Sequence, residues 1–139
     1  MKVKIRRGEG LSFMGIGDSK HYIMMDTDSA FGGTEGASKP KELFLMGLAG
    51  CTGMDVASIL DKMRVSVDRF EVAVDADMAE EHPKVFTKIR LEYLFRGENI
   101  DEEKVAHAIE LSETKYCAVT AMLRPTVLIE TRFSINPEE

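Results

Sequence analysis

The chain reads as an α+β protein, and three observations predict it. Alternating apolar and polar segments near the N-terminus and in the middle of the chain return on themselves across short turns, as antiparallel hairpins do. Two long stretches carry apolar residues at helical spacing. The two kinds of segment come in blocks instead of alternating one for one, which gives the order βββ-α-ββ-α-α-β and argues against a doubly wound parallel sheet. At 139 residues the chain suits a single domain, 1–139, with a genuine core.

Each element has its own reason. Residues 3–7 alternate and form a first strand. Residues 11–15 and 22–25 form two more, separated by the turn Gly17-Asp18-Ser19-Lys20. A loop over 29–37 follows. Ser38 is the expected N-cap of a helix in which Pro40 is tolerated in the first turn, and the helix runs to about Arg64. Its first half, from Leu43 to Met54, carries no charge and is apolar all round, so it is expected to be buried on every side. Its second half is amphipathic, with Val56, Ile59, Leu60 and Met63 on one side. One sheet covers only one side of such a helix. In a chain this small a second copy most simply covers the other, so a homodimer with this helix at its centre is expected.

Residues 70–77 alternate cleanly as a strand, Glu80-Glu81-His82-Pro83 turns the chain, and 85–95 returns as a longer strand. Asp101 caps a second helix, with Glu102 and Glu103 at its positive end, Val105 and Ile109 facing inward, and an extension towards Tyr116. A short helical stretch over 117–123 stops before Pro125, and 126–135 is the last strand.

Composition removes several classes of function. The net charge is −6, with no block of five like charges. A nucleic-acid partner is therefore disfavoured, because such a partner needs a basic face. Residues 1–7 lack the apolar core of a signal peptide. The uncharged run around Cys51 is about twelve residues against the roughly 20 that span a bilayer, so no membrane association is expected. The reading is a soluble, cytoplasmic protein, where two cysteines are more often catalytic, redox-active or incidental than a permanent bridge. His21, His82 and His107 are scattered and fit no metal-ligand spacing with the cysteines, so neither a metal nor a bound cofactor is expected.

The chemistry therefore rests on Cys51 and Cys117. Cys51 lies inside the apolar helix, among Gly47, Ala49, Gly50 and Gly53, with Asp55 four residues on and so on the same face. A thiol in such a place is either inert packing or a protected nucleophile. The glycine cluster calls for a reason, because glycine weakens a helix interior by about 1 kcal/mol against alanine. Close approach of another helix or of a ligand would supply one.

The segment Gly32-Gly33-Thr34-Glu35-Gly36-Ala37-Ser38-Lys39-Pro40-Lys41-Glu42-Leu43, followed by Leu48-Ala49-Gly50-Cys51, resembles the OsmC/Ohr family of osmotically induced and organic hydroperoxide resistance proteins. The resemblance covers most of the chain. It implies an intertwined homodimer of two α+β protomers, with active sites at the interface, and thiol-dependent reduction of organic hydroperoxides. It casts Cys51 as the peroxidatic cysteine and Cys117 as the resolving one, with an external dithiol reductant resetting the pair. It also implies an arginine and a glutamate near the reactive sulfur. Arg7 is the nearest match for the arginine, with Arg6 beside it, and only one of them can face inward on an alternating strand.

The glutamate departs from the pattern. In the best-known hydroperoxidase branch it follows the proline directly, where this chain has Lys41, and Glu42 comes next, as in some members of a less characterised branch. The second cysteine block departs too. The family often has Cys-Pro-Val-Ser, and this chain has Cys117-Ala118-Val119-Thr120. Phe44, Met46, Leu48 and Met54 suit an apolar substrate. The alternative reading is a dimer of the same fold that binds a small apolar ligand, with both thiols packed and no turnover.

Overall fold

The first 25 residues fold as an antiparallel meander because their alternating strands are joined by turns that local hydrogen bonds can close. In the computed structural model, which describes residues 1–138, β1 (Val3–Arg7), β2 (Phe13–Gly17) and β3 (Tyr22–Met25) pair in the order β1-β2-β3, with Ile5 opposite Gly15 and Gly15 opposite Ile23. β2 begins two residues later than the sequence predicts. The Gly8 N–H donates to Ser12 O (2.8 Å), and the Ser12 N–H and hydroxyl both donate to Glu9 O (3.1 and 2.7 Å), so Leu11 and Ser12 are used up in the turn. The turn after β2 closes where expected, through Lys20 N–H to Gly17 O. This sheet belongs to the first of two compact units, Met1–Leu45.

The loop that follows is organised by one carboxylate. Asp26, 3% exposed, accepts from the Thr27 N–H (2.8 Å), the Gly36 N–H (3.1 Å) and the Thr34 hydroxyl (2.5 Å). Thr34 does most to hold its carboxyl down at about 2. Gly33 is required here, because a Cβ at that position would stand 2.0 Å from Thr27 O.

Helix α1 spans Pro40–Lys62. Ser38 does not cap it. Ser38 bridges to Met25, its carbonyl accepts from the Asp26 N–H, and Lys39 O accepts the first helical bond from the Leu43 N–H. Lys39 is thus the capping position, and the Glu42 carboxylate reaches back to its N–H (2.9 Å), one half of a capping box. The helix stops two residues short of Arg64, which adopts a left-handed φ of 58°. The Arg64 N–H bonds to Asp61 O and the Val65 N–H to Leu60 O, a Schellman ending that satisfies the last carbonyls.

The second unit runs from Met46. Within it β4 (Arg69–Met78) and β5 (Phe86–Arg96) pair antiparallel, and β6 (Leu128–Ile135) pairs parallel to β5, in the order β4-β5-β6. A parallel return needs a crossover. It is made by α2 (Glu102–Leu111), a π-helical turn (Ser112–Tyr116) and α3 (Ala118–Leu123). Asp101 caps α2 as expected, accepting from the Glu103 and Lys104 N–H groups. The core is made by one face of β5, where Ile89, Leu91, Tyr93 and Phe95 are fully buried, together with Leu48, Val56 and Leu60 of α1 and Val105, Ala108 and Ile109 of α2. On the opposite face of the sheet Lys88 pairs with Glu130, Arg90 with Asp75 and Asp77, and Arg132 with Glu92.

The α1 helix is not enclosed by its own chain. Leu48, Thr52, Val56 and Leu60 form one buried stripe at four-residue spacing, whereas Met46 and Met54 are more than half exposed. Leu48, expected beside a substrate, is in the core. A Cβ on Gly53 would already touch Val72 at 3.3 Å, while one on Gly47 or Gly50 would meet nothing within 4 Å. At 23 residues α1 is long and apolar enough to cross a bilayer by length and composition alone, because the two aspartates beyond the uncharged run interrupt it so little. Its buried stripe, and the hydrogen bond that Asp55 accepts from Ser112, mark it as a packed helix of this fold.

Candidate active site

Two helices bring the two cysteines together. α1 carries Cys51 and, one turn later on the same face, Asp55. The π-helical turn delivers Cys117 to the N-cap of α3, in extended backbone (φ −73°, ψ 102°). Sγ of Cys51, Sγ of Cys117 and a carboxylate oxygen of Asp55 all lie within 4.8 Å of one another, and the two thiols are hydrogen-bonded. Cys117 is 3% exposed and Cys51 is half-buried.

The first turn of α3 serves both sulfurs. The Thr120 N–H donates to Cys117 Sγ (3.4 Å), and the Val119 N–H donates to Cys51 Sγ. Burial nevertheless pushes the Cys51 thiol up from its ordinary value. The hydrogen bond with Cys117 and the negative charges of Cys117 and Asp55 push the same way, and only the Val119 amide opposes them. The amides of α3 are the local help that a thiolate has here, since Cys51 lies too far along α1 to feel that helix's N-terminus.

Behind the sulfurs runs a chain of hydroxyls with a fixed direction. Ser112 Oγ donates to Asp55 Oδ2 (3.2 Å). Its single hydrogen is then used, so it accepts from Thr52 Oγ1 (2.8 Å), which in turn accepts from the Tyr93 hydroxyl (2.5 Å). Tyr93 is fully buried, and burial pushes its phenol up to about 12, so it remains the donor at the head of the chain. A cavity of about 350 Å³ reaches this assembly at Asp55. Ile59, Lys62, Met63, Leu111 and Tyr116 also line it.

The other expected site residues belong to the first unit. Arg7 on β1 is exposed, and its Nε donates to Gly10 O (2.7 Å), closing the turn after the strand. Arg6 sits opposite Met14 and lines a small cavity with Lys4, Ile16 and Tyr22. Lys41 is exposed on the first turn of α1, and Glu42 caps that turn through Lys39. Thr52, Tyr93, Ser112 and the Val119 and Thr120 amides escaped the sequence reading. A hydroxyl residue on the buried stripe of an apolar helix was the one signal for Thr52.

The model of the OsmC-like protein family matches residues 32–132, a span that holds both cysteines and Asp55. Protein YhfA of Escherichia coli K12 is 37% identical over 135 residues, which cover 97% of this chain and 98% of that one. A solved structure of a hypothetical protein from Aquifex aeolicus VF5 has a TM-score of 0.85 at 27% identity, covering 99% of this chain and 97% of that one. An organic hydroperoxide resistance protein OsmC from Legionella pneumophila shares the fold, with a TM-score of 0.71 at 15% identity over 96% and 95% of the two chains. With the likeness running nearly end to end and the match spanning the segment that carries both thiols, the chain belongs to the OsmC-like family.

Proposed function

We propose that the protein is a thiol-dependent peroxidase that reduces organic hydroperoxides. The observation that carries this reading is the hydrogen-bonded pair Cys51 and Cys117, with a backbone amide of α3 directed at each sulfur. The Cys51 thiolate attacks the O–O bond, an alcohol leaves after taking up a proton, and the sulfur becomes a sulfenic acid. The Cys117 sulfur then attacks Cys51, forming a disulfide and releasing water, and an external dithiol reductant restores both thiols. Relatives of this fold that are named as organic hydroperoxide resistance proteins support the substrate class.

Thiolate formation at Cys51 needs positive charge to offset its upward push. Arg7, with Arg6 as the neighbouring choice, is assigned that role, and Glu42 is assigned to orient the arginine. The working form is a cytoplasmic homodimer. The open Gly47 and Gly50 positions and the exposed Met46 and Met54 of α1 give a second copy an apolar face to cover.

The deciding experiment is the intact mass of the reduced protein after one equivalent of an organic hydroperoxide. The expected result is a loss of two hydrogens in the wild type, no change in Cys51→Ser, and one added oxygen in Cys117→Ser. An unchanged wild-type mass removes the peroxidase reading. The upward push on Cys51 favours a second reading, a non-catalytic dimer that binds a small apolar ligand, and under it alkylation of Cys51 requires denaturant.

A further inference from the structure

We propose that the reduced site binds a thiophilic divalent cation, with Zn²⁺ the best fit, through Cys51 Sγ, Cys117 Sγ and an Asp55 carboxylate oxygen. The geometry is close to what the ion demands. Tetrahedral zinc with sulfur at about 2.3 Å and oxygen at about 2.0–2.2 Å holds its donors roughly 3.5–3.8 Å apart, and the three donors here lie within 4.8 Å of one another. Small side-chain rotations close the difference. Two sulfur donors select against Mg²⁺ and Ca²⁺, which take oxygen.

The donors are held from outside, as ligands in metal sites are. Cys51 and Asp55 stand one turn apart on the longest helix of the chain. Ser112 fixes the Asp55 carboxylate, and is itself fixed by Thr52 and Tyr93. The Thr120 amide fixes Cys117, and the Val119 amide bonds to Cys51. Three protein donors leave a fourth position for a water or a small ligand, and a cavity of about 350 Å³ adjoins the site on its Asp55 side. An open fourth position is the arrangement of reactive zinc sites; structural sites are closed by four protein ligands. Binding does not depend on peroxide turnover, and a bound cation would occupy both sulfurs that turnover needs.

The test uses the full-length reduced protein. Zn²⁺ is titrated in competition with a chromophoric chelator, and Cd²⁺ is titrated while thiolate-to-metal charge-transfer absorption is followed in the ultraviolet. The expected result is one ion per chain with a clear Cd²⁺ band. Zinc affinity should fall at least about tenfold in Asp55→Asn and about a hundredfold in Cys51→Ser or Cys117→Ser, each variant matching the wild type by circular dichroism. Absence of the band in the wild type overturns the proposal, and so does an Asp55→Asn affinity equal to wild type. The wild-type band decides the matter alone if a variant does not fold.

Discussion

Asp55 works against the sulfur it stands beside. A negative charge next to Cys51 disfavours the thiolate, so Asp55→Asn should lower the Cys51 pKa and speed its alkylation near neutral pH. The measurement is the pH profile of the rate of iodoacetamide labelling in a Cys117→Ser background, and an unchanged profile would show that the carboxylate exerts no field on the sulfur. The hydroxyl chain behind Asp55 is a stability device with an asymmetry. Tyr93→Phe removes one donor and should cost about 1 kcal/mol, whereas Thr52→Val strands the buried Tyr93 hydroxyl and takes from Ser112 the donor it accepts from, leaving only its bond to Asp55, and should cost about 1–3 kcal/mol. Urea unfolding of the two variants gives the order. The Cys51–Asp55 pairing was legible in the sequence because helical spacing alone sets it. Tyr93 and Ser112 were not, because three elements distant along the chain must meet before their hydroxyls do.

Elements were legible to within a residue or two wherever hydrophobic alternation or a cap defined them. β1, β3 and the Asp101 cap of α2 lie where the sequence places them. The misplacements have local causes in hydrogen bonds that pattern does not reveal, such as the Ser12–Glu9 closure that delays β2 and the Asp26–Ser38 bond that passes the α1 cap to Lys39. The loop between β3 and α1 has a pH signature. The Asp26 carboxyl sits at about 2 in the folded chain against an ordinary 3.8. A depressed carboxyl contributes its full stabilisation above the ordinary value and loses it as pH falls towards the folded one. Thermal stability should therefore drop between about pH 4 and pH 2 with a component that Asp26→Asn removes, visible as a flatter acid limb in a series of melting curves. An equally steep limb in the variant would assign the acid sensitivity to other groups.

At the scale of the whole molecule, the α+β class and the order of strands and helices could be read before any coordinates, because block order and hydrophobic period are both one-dimensional. The expectation that α1 is buried on every side fails within a single chain, where one stripe is buried and Met46 and Met54 are exposed. The proposed dimer accounts for the rest. Light scattering should give twice the 15.5 kDa chain mass, and Met54→Lys, which puts a charge on the exposed face, should shift the species towards the single-chain mass. A monomeric wild type would refute the dimer. The expectation of no metal rested on histidine spacing, whereas the donors gathered around Cys51 are two thiols and a carboxylate that only the fold assembles.

The π-helical turn over Ser112–Tyr116 makes the position of Cys117 a matter of counting. A π turn is an α-helix carrying one surplus residue. Rewinding it as regular α-helix at unchanged length would carry position 117 about 100° around the axis and about 1.5 Å along it, whereas losing one residue during the rewinding would cancel that shift. In the first case every side chain of the site would still be present, yet the second thiol would face elsewhere. In this stretch the winding of the backbone places the thiol as much as the letters do.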